Sequence, residues 1–112
     1  MVFKEGDISY ELKGFKFVWD KVKSENNFKK HKITFEEAAE VFTYDKTKYI
    51  PDIEHSSSED REIAIGFSFS MAVLVVCHCL REEDTVYRIF SARKANRVEY
   101  AEFGEWLNEN NL

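Results

Sequence analysis

Apolar positions recur every second residue along much of this chain and every third or fourth along shorter stretches, and each change of period marks an element. Ile8, Tyr10 and Leu12 alternate loosely with polar neighbours, Lys13-Gly14 offers a turn, and Phe15, Phe17 and Trp19 alternate with Lys16 and Val18. The opening therefore reads as a hairpin, its second strand the better patterned. Asp20 is placed to cap a helix running to about His31, in which only Val22 and Phe28 are clearly apolar and the lysines form a solvated face. Thr34 and Glu37 have capping-box spacing, and Phe35, Ala38, Ala39 and Phe42 follow at i, i+3, i+4 and i+7 as a short amphipathic helix. Tyr44 to Ile50 reads as a short strand stopped by Pro51, ahead of a polar loop from Asp52 to Asp60 that holds His55 and serines 56, 57 and 58. Arg61 to Phe69, Ala72 to Leu80 and Thr85 to Ala92 are strand-like runs with tight connections, which predict an antiparallel meander. Asn96 with Glu99 opens a last helix whose Tyr100, Phe103, Trp106 and Leu107 can face the sheet, and the chain is expected to fray after Asn108. The fold class predicted is α+β, a curved antiparallel β-sheet packed against helices on one face.

The third run, continued to Ala95, has the most unusual chemistry. Side chains alternate faces along a strand, so Tyr87, Ile89 and Ser91 are expected to point one way and Arg88, Phe90 and Ala92 the other. An arginine midway along an apolar strand is costly to bury unless it is paired or lines a cleft, so Arg88 is a candidate site residue. A plain ion pair with Glu82, Glu83 or Asp84 close by in sequence is the simpler reading of the same residue. Arginine recurs at Arg81, Arg93 and Arg97, and several planar guanidinium forks around one strand suit phosphate recognition.

Composition narrows this further. The 112 residues, 44% of them apolar and with ten Phe, are expected to form one domain over residues 1–112. A net charge of −5 argues against a general nucleic-acid coat protein, but Lys21, Lys23, Lys29, Lys30 and Lys32 form one basic block and the arginines another. No signal peptide or bilayer-length apolar run is visible, so a cytoplasmic protein with no membrane partner is expected. Cys77 and Cys79 lie two apart on one strand face, where a mutual disulfide would be distorted. No second ligand pair beside them and His78 is spaced for zinc, so no metal and no other cofactor is expected. His78 itself reads as a buried hydrogen-bonded histidine, His31 as a helix-end residue and Trp19 as core.

In its ordered motifs the chain resembles the BrnT family of type II toxin-antitoxin toxins. These are F-x-W-D at Phe17, Trp19 and Asp20; K-x3-N-x2-K-H at Lys23, Asn27, Lys30 and His31; and F-E-E-A at Phe35 to Ala38 with Val41-Phe42. H-x3-E-x-R follows at His55, Glu59 and Arg61, then Ile65-Gly66, the R-I-I-S-A-R-x-A signature at Arg88 to Ala95, and Glu99-Tyr100. Lys32 stands where the family has glycine, Phe90 where it has isoleucine, and Phe69-Ser70-Met71 where it has a polar, Gly-containing hairpin, departures that imply a differently shaped rim. The resemblance implies a RelE-like fold of order β-α-α-β-β-β-β-α, with residues 1–14 outside its motifs as an N-terminal extension, and a small ribonuclease that inhibits translation by cleaving RNA. It also implies a BrnA-like antitoxin that neutralises the toxin in a hetero-oligomer and carries the segment through which the pair reaches operator DNA.

Metal-independent RNA cleavage needs a deprotonated 2′-hydroxyl, compensation of phosphate charge and a protonated leaving oxygen. Arg88 and Arg93 are the first candidates for the phosphate, Arg61 and Arg81 support them, and His55 with Glu59 supplies acid-base groups. Lys23 and Lys30 of the basic block are candidates for the RNA backbone. The same residues also fit a non-catalytic module of this fold that holds an antitoxin or a nucleic acid and cuts nothing. Either way a tight partner is expected, with Phe67 and Phe69 forming an apolar patch at the rim.

Overall fold

Among the described residues the period-two segments become six strands and the period-3.6 segments three α-helices. The structure is a computed structural model that describes residues 6–56 and 59–112. Residues 1–5 of the expected extension, and Ser57 and Ser58 of the polar loop, lie outside the described residues. Strands β1 (Asp7–Leu12) and β2 (Phe15–Asp20) form a hairpin turned by Lys13 and Gly14, with φ of 51° and 85°. Paired left-handed residues match the strand twist across a two-residue turn. Helix α1 (Lys21–His31) starts where the Asp20 carboxylate accepts from the Lys23 N–H, and α2 (Phe35–Glu40) where the Thr34 hydroxyl accepts from Glu37 N–H. Strand β3 (Lys48–Pro51) is shorter than expected, and a 3₁₀ turn at Ile53–His55 follows it. Strands β4 (Arg61–Phe67), β5 (Val73–Arg81) and β6 (Val86–Lys94) lead to α3 (Arg97–Glu109), whose capping box between Asn96 and Glu99 is complete in both directions.

The strands lie in the order β1-β2-β6-β5-β4-β3. The sheet is mixed, which corrects the expectation of an antiparallel one: β2 runs parallel to β6 through Lys16↔Val86, Phe17↔Tyr87 and Val18↔Arg88. Parallel neighbours need a long crossover, and here the chain from α1 through β5 supplies it. The helices do not share one face either. Phe35, Ala38 and Ala39 of α2 pack with Phe17, Trp19, Leu74, Val76, Ile89 and Ala92, whereas Phe103, Trp106 and Leu107 of α3 pack against Ile65, Val73 and Val75 on the opposite face. Because α3 has its own small core, Phe67 belongs there, its ring 5.3 Å from that of Phe103, and is not a rim residue. Phe69 stays exposed, with the Lys13 ammonium 4.8 Å from its ring.

Strict alternation fails in β6. Cys77 is opposite Ser91 and His78 opposite Ile89, so Phe90 is an extra, unpaired residue. Such a bulge resets which side chains share a face. Tyr87, Ile89 and Ala92 join the α2-side core, and Arg88, Phe90, Ser91 and Arg93 line clefts on the other side. Strict alternation, which groups Ser91 with Tyr87 and Ile89 and Ala92 with Arg88 and Phe90, is corrected by one residue after the bulge.

Beyond its three-residue pairing with β2, the free edge of β6 is closed by a side chain. Asn27 of α1 accepts from the Ala92 N–H at 3.1 Å and donates to the Ala92 and Ile33 carbonyls at 2.8 and 3.1 Å. The amide thus acts as a one-residue strand partner and fixes α1 along β6. Losing it leaves buried backbone groups unsatisfied. At the other end of α1, Lys32 closes the helix at φ 61°, ψ 26°, the left-handed geometry that glycine adopts without a Cβ penalty. Asn27→Ala is expected to lower unfolding stability by about 3 kcal/mol in urea titrations, with exposed Asn26→Ala close to neutral, and Lys32→Gly to raise it by about 1 kcal/mol.

Candidate active site

The open part of the α3-side face is built in rows. Across the ladders Arg61 lies opposite Cys79, Cys79 opposite Arg88, and Arg88 beside Val18 of β2, so the guanidinium groups of Arg61 and Arg88 rise from one row. Val75 opposite Arg93 forms a row further along, beside the start of α3. Two adjoining clefts occupy this surface, of about 400 Å³ and 340 Å³, and share Lys23, Arg61 and Phe90. The larger also holds Asp52, His55, Cys77, Ser91 and Arg93; the smaller holds Asp20, Glu59, Arg81 and Arg88. A bigger cavity of about 550 Å³ between the β1–β2 hairpin and the β5–β6 turn contains no arginine or histidine, so size does not mark the chemistry.

The structure brings together Arg88, Arg93, His55, Glu59, Arg61, Arg81 and Lys23. Lys30 is exposed on α1 and lines neither cleft. His55 Nδ1 lies 2.9 and 3.0 Å from the two Asp52 carboxylate oxygens, with the histidine side chain 60% exposed and the aspartate 10%. This pairing sets the tautomer: with Nδ1 protonated toward Asp52, Nε2 carries the free lone pair. Asp52 is held in turn by its own N–H to the Arg61 carbonyl at 2.8 Å and by the Cys77 thiol at 3.4 Å. Burial pushes the Asp52 carboxyl upward, but the bonds from His55 and Cys77 and the charges of His55 and Arg61 outweigh it, leaving it below the ordinary range. Burial, with the Asp52 bond, pushes the Cys77 thiol up to about 11, and burial raises Cys79 as well, so both stay protonated thiols.

Arg61 lies flat against Phe90, its guanidinium carbon 3.8 Å from the ring centroid, and Lys23 approaches the same ring at 5.5 Å. Glu59 bridges two arginines, 2.6 Å from Arg81 and 3.4 Å from Arg61, whose buried Nε lacks hydrogen-bond geometry to it. Arg81 also donates to Cys79 Sγ. Arg93 forms a bidentate pair with Glu99 at 2.7 and 2.8 Å, and Arg88 one with Asp7 at 3.0 Å through both Nη atoms. The neighbours offered for Arg88 by sequence, Glu82 to Asp84, are not its partners; Asp7 lies 81 residues away. These bonds, offset in part by burial, raise both guanidiniums above their ordinary values, and the Arg93 bond holds Glu99 below its own. His78 is buried among the rings of Phe42, Tyr49 and Tyr87, its Nδ1 3.5 Å from the Val76 carbonyl and its Nε2 3.3 Å from Glu62, and burial lowers its pKa against the opposing pull of Val76 and Glu62.

Asp52 and Phe90 line the candidate clefts and Asp7 grips Arg88 there, and sequence reasoning named none of the three as a site residue. For Asp52 the signal was present, a carboxylate three residues before a histidine in a short turn. With the geometry described, comparison with known proteins is decisive: the family described as ribonuclease toxin, BrnT, of type II toxin-antitoxin systems matches residues 19–99. The chain belongs to the BrnT family. The crystal structure of the Brucella abortus ribonuclease toxin BrnT superposes with a TM-score of 0.55 at 22% identity, over 70% of this chain and 94% of that one, which establishes the shared fold. No curated protein matches the chain. As a BrnT-family member it belongs with type II ribonuclease toxins, which implies an antitoxin partner. All the sequence-predicted site residues fall inside the matched region; Asp7 precedes it. Among the described residues no helix is long and apolar enough to cross a membrane.

Asp52 and Glu99 set an acid limit on stability. Both carboxyls are depressed in the folded state, so their contribution is complete above the unfolded value of about 4, declines as pH falls below it, and is gone once pH passes their lower folded values. Urea midpoints measured from neutral pH down to about pH 3 should therefore fall more steeply for wild type than for the Asp52→Asn/Glu99→Gln double variant. Parallel curves would contradict the assignment.

Proposed function

We propose that this chain is a metal-independent endoribonuclease acting by internal transfer of the phosphodiester, with His55, Arg61 and Arg93 as its working groups. The observation that carries the reading is the meeting, in one cleft, of a histidine fixed by a buried carboxylate with a cationic platform of Arg61 stacked on Phe90 and with Arg93. His55 Nε2 takes the proton of the 2′-hydroxyl, the 2′-oxygen bonds to phosphorus, and the P–O5′ bond breaks. His55 returns a proton to the departing 5′-oxygen, so the step gains and loses no proton overall. Arg61, Arg93 and Arg88 meet the charge on the phosphoryl oxygens. Glu59 sits between two arginines, which suits holding them together better than shuttling a proton. Lys23 at the cleft, with Lys30 further along α1, adds backbone contacts on the RNA. A base splayed from the strand finds a stacking surface on the Arg61–Phe90 pair. The partner we propose is a BrnA-like antitoxin that blocks this face in a hetero-oligomer and carries the pair to operator DNA, in the cytoplasm.

One observation favours a non-catalytic module instead: Arg88 and Arg93 already grip carboxylates, as they would in holding an acidic partner segment. Cleavage separates the two. Antitoxin-free protein incubated with labelled RNA in excess EDTA, alone and with translating ribosomes, should cut in at least one setting. His55→Ala and Arg61→Ala should each lose about 100-fold or more in rate while still binding the antitoxin. Intact RNA in both settings from folded wild-type protein would favour the binding module, and undiminished cutting by both variants would overturn the assigned roles.

A further inference from the structure

The carboxylate that grips Arg88 comes from outside the family match, which starts at residue 19. Strand β1 is the edge of the sheet and pairs with β2 from Asp7↔Asp20 to Leu12↔Phe15. Its alternate residues Ile8, Tyr10 and Leu12 pack against the core under α2, so Asp7 turns to the other face, where Arg88 stands beside Val18 of β2. The start of the strand is pinned by the Lys21 N–H donating to the Gly6 carbonyl at 3.0 Å. The two side chains are 9% and 2% exposed and meet through both oxygens and both Nη atoms, geometry that fixes the plane of a guanidinium as well as its distance. Arg88 nonetheless lines the cleft shared with Lys23, Arg61 and Arg81.

We propose that Asp7 is a positioning residue for catalysis: the N-terminal hairpin inserts it beside β6 to hold the Arg88 guanidinium in the plane from which its remaining N–H groups address the phosphate. The proposal rests on the ribonuclease reading and deepens it, because it assigns a role to a strand that the family match does not cover. An arginine on this row without Asp7 would be a nearly buried cation stripped of its bidentate carboxylate, with Asp20 of the same cleft as the other carboxylate acting on it. The hairpin thus has two jobs on its two faces, apolar packing on one and alignment of a cation on the other.

Asp7→Asn keeps the shape and weakens the grip, so it is the variant to measure, in the full chain and under whichever RNA condition the wild type cuts. kcat should fall about 10- to 100-fold with KM little changed; Asp7→Glu should recover part of the loss, and in an Arg88→Lys background Asp7→Asn should have no further effect on kcat. Thermal unfolding of each variant gives the folded fraction to which rates are normalised. A normalised kcat that is unchanged, or a loss that persists in full in the Arg88→Lys background, overturns the proposal and leaves Asp7 a stabilising residue. A rise in kcat also overturns it, since Asp7 would then be blocking the fork. A folded wild type that cuts no RNA overturns the ribonuclease reading and this proposal together, and only that outcome touches both.

Discussion

Phe90 has no partner across β5, and this one extra residue decides which side chains meet on the open face of the sheet. Arg88 and Arg93 are five positions apart, so in a regular strand they would point to opposite faces. The bulge absorbs one position and turns both toward the clefts, and it delivers Phe90 itself as the surface on which Arg61 lies. The same shift turns Ile89 and Ala92 together into the core under α2. Bulges bend and twist a strand as well as re-aiming side chains. Here the bend lies where β6 leaves β2 and its edge passes to Asn27 of α1, so the irregular strand is secured immediately beyond its irregularity.

The second constraint is charge. A protein of net charge −5 has gathered Lys23, Arg61, Arg81, Arg88 and Arg93 on one surface. Each of the four arginines has a carboxylate in reach: Glu59 for Arg61 and Arg81, Asp7 for Arg88 and Glu99 for Arg93. Partly buried cations without such partners would oppose folding. The carboxylates come from a loop, the N-terminal strand and the cap of α3, so three separate elements orient the arginines of one sheet. Glu99 serves twice, as an acceptor for Arg93 and as the reciprocal half of the α3 capping box. The start of α3 and the position of Arg93 are therefore set by the same side chain.

Much of this was legible in the sequence. Local rules found the caps at Asp20, Thr34 and Asn96 and the strands from Phe15 onward, because each of those signals lies within a few residues. The element order with one strand ahead of the helices left out β1, which the sheet incorporates. The ordered motifs found the family, and the residue types found most of the cleft. What the sequence hid was non-local or aperiodic. A bulge is one residue out of phase, and in a run that mixes Ile89 and Phe90 with Arg88 and Ser91 there is no clean alternation for it to break. The parallel pairing of β2 with β6 and the docking of α3 on the far face depend on how distant segments cross. Asp7 reads as an ordinary hairpin residue until the sheet places it beside Arg88. Lys30 shares a helix with Lys23 but sits beyond the cleft, which a basic block alone does not reveal.

The most direct test of the central claim, that the bulge gathers one RNA-binding face on the α3 side of the sheet, is to map binding residue by residue. Titrating isotopically labelled protein with an RNA oligonucleotide whose 2′-hydroxyls are replaced by hydrogen allows binding without internal transfer. Amide shifts are then predicted to cluster at Lys23, Asp52 to His55, Arg61, Cys77 to Arg81 and Arg88 to Arg93, and to spare α2 and the solvent face of α3. Shifts concentrated on Lys29, Lys30 and Lys32 or on the outer face of α3, with the bulge residues unmoved, would contradict it.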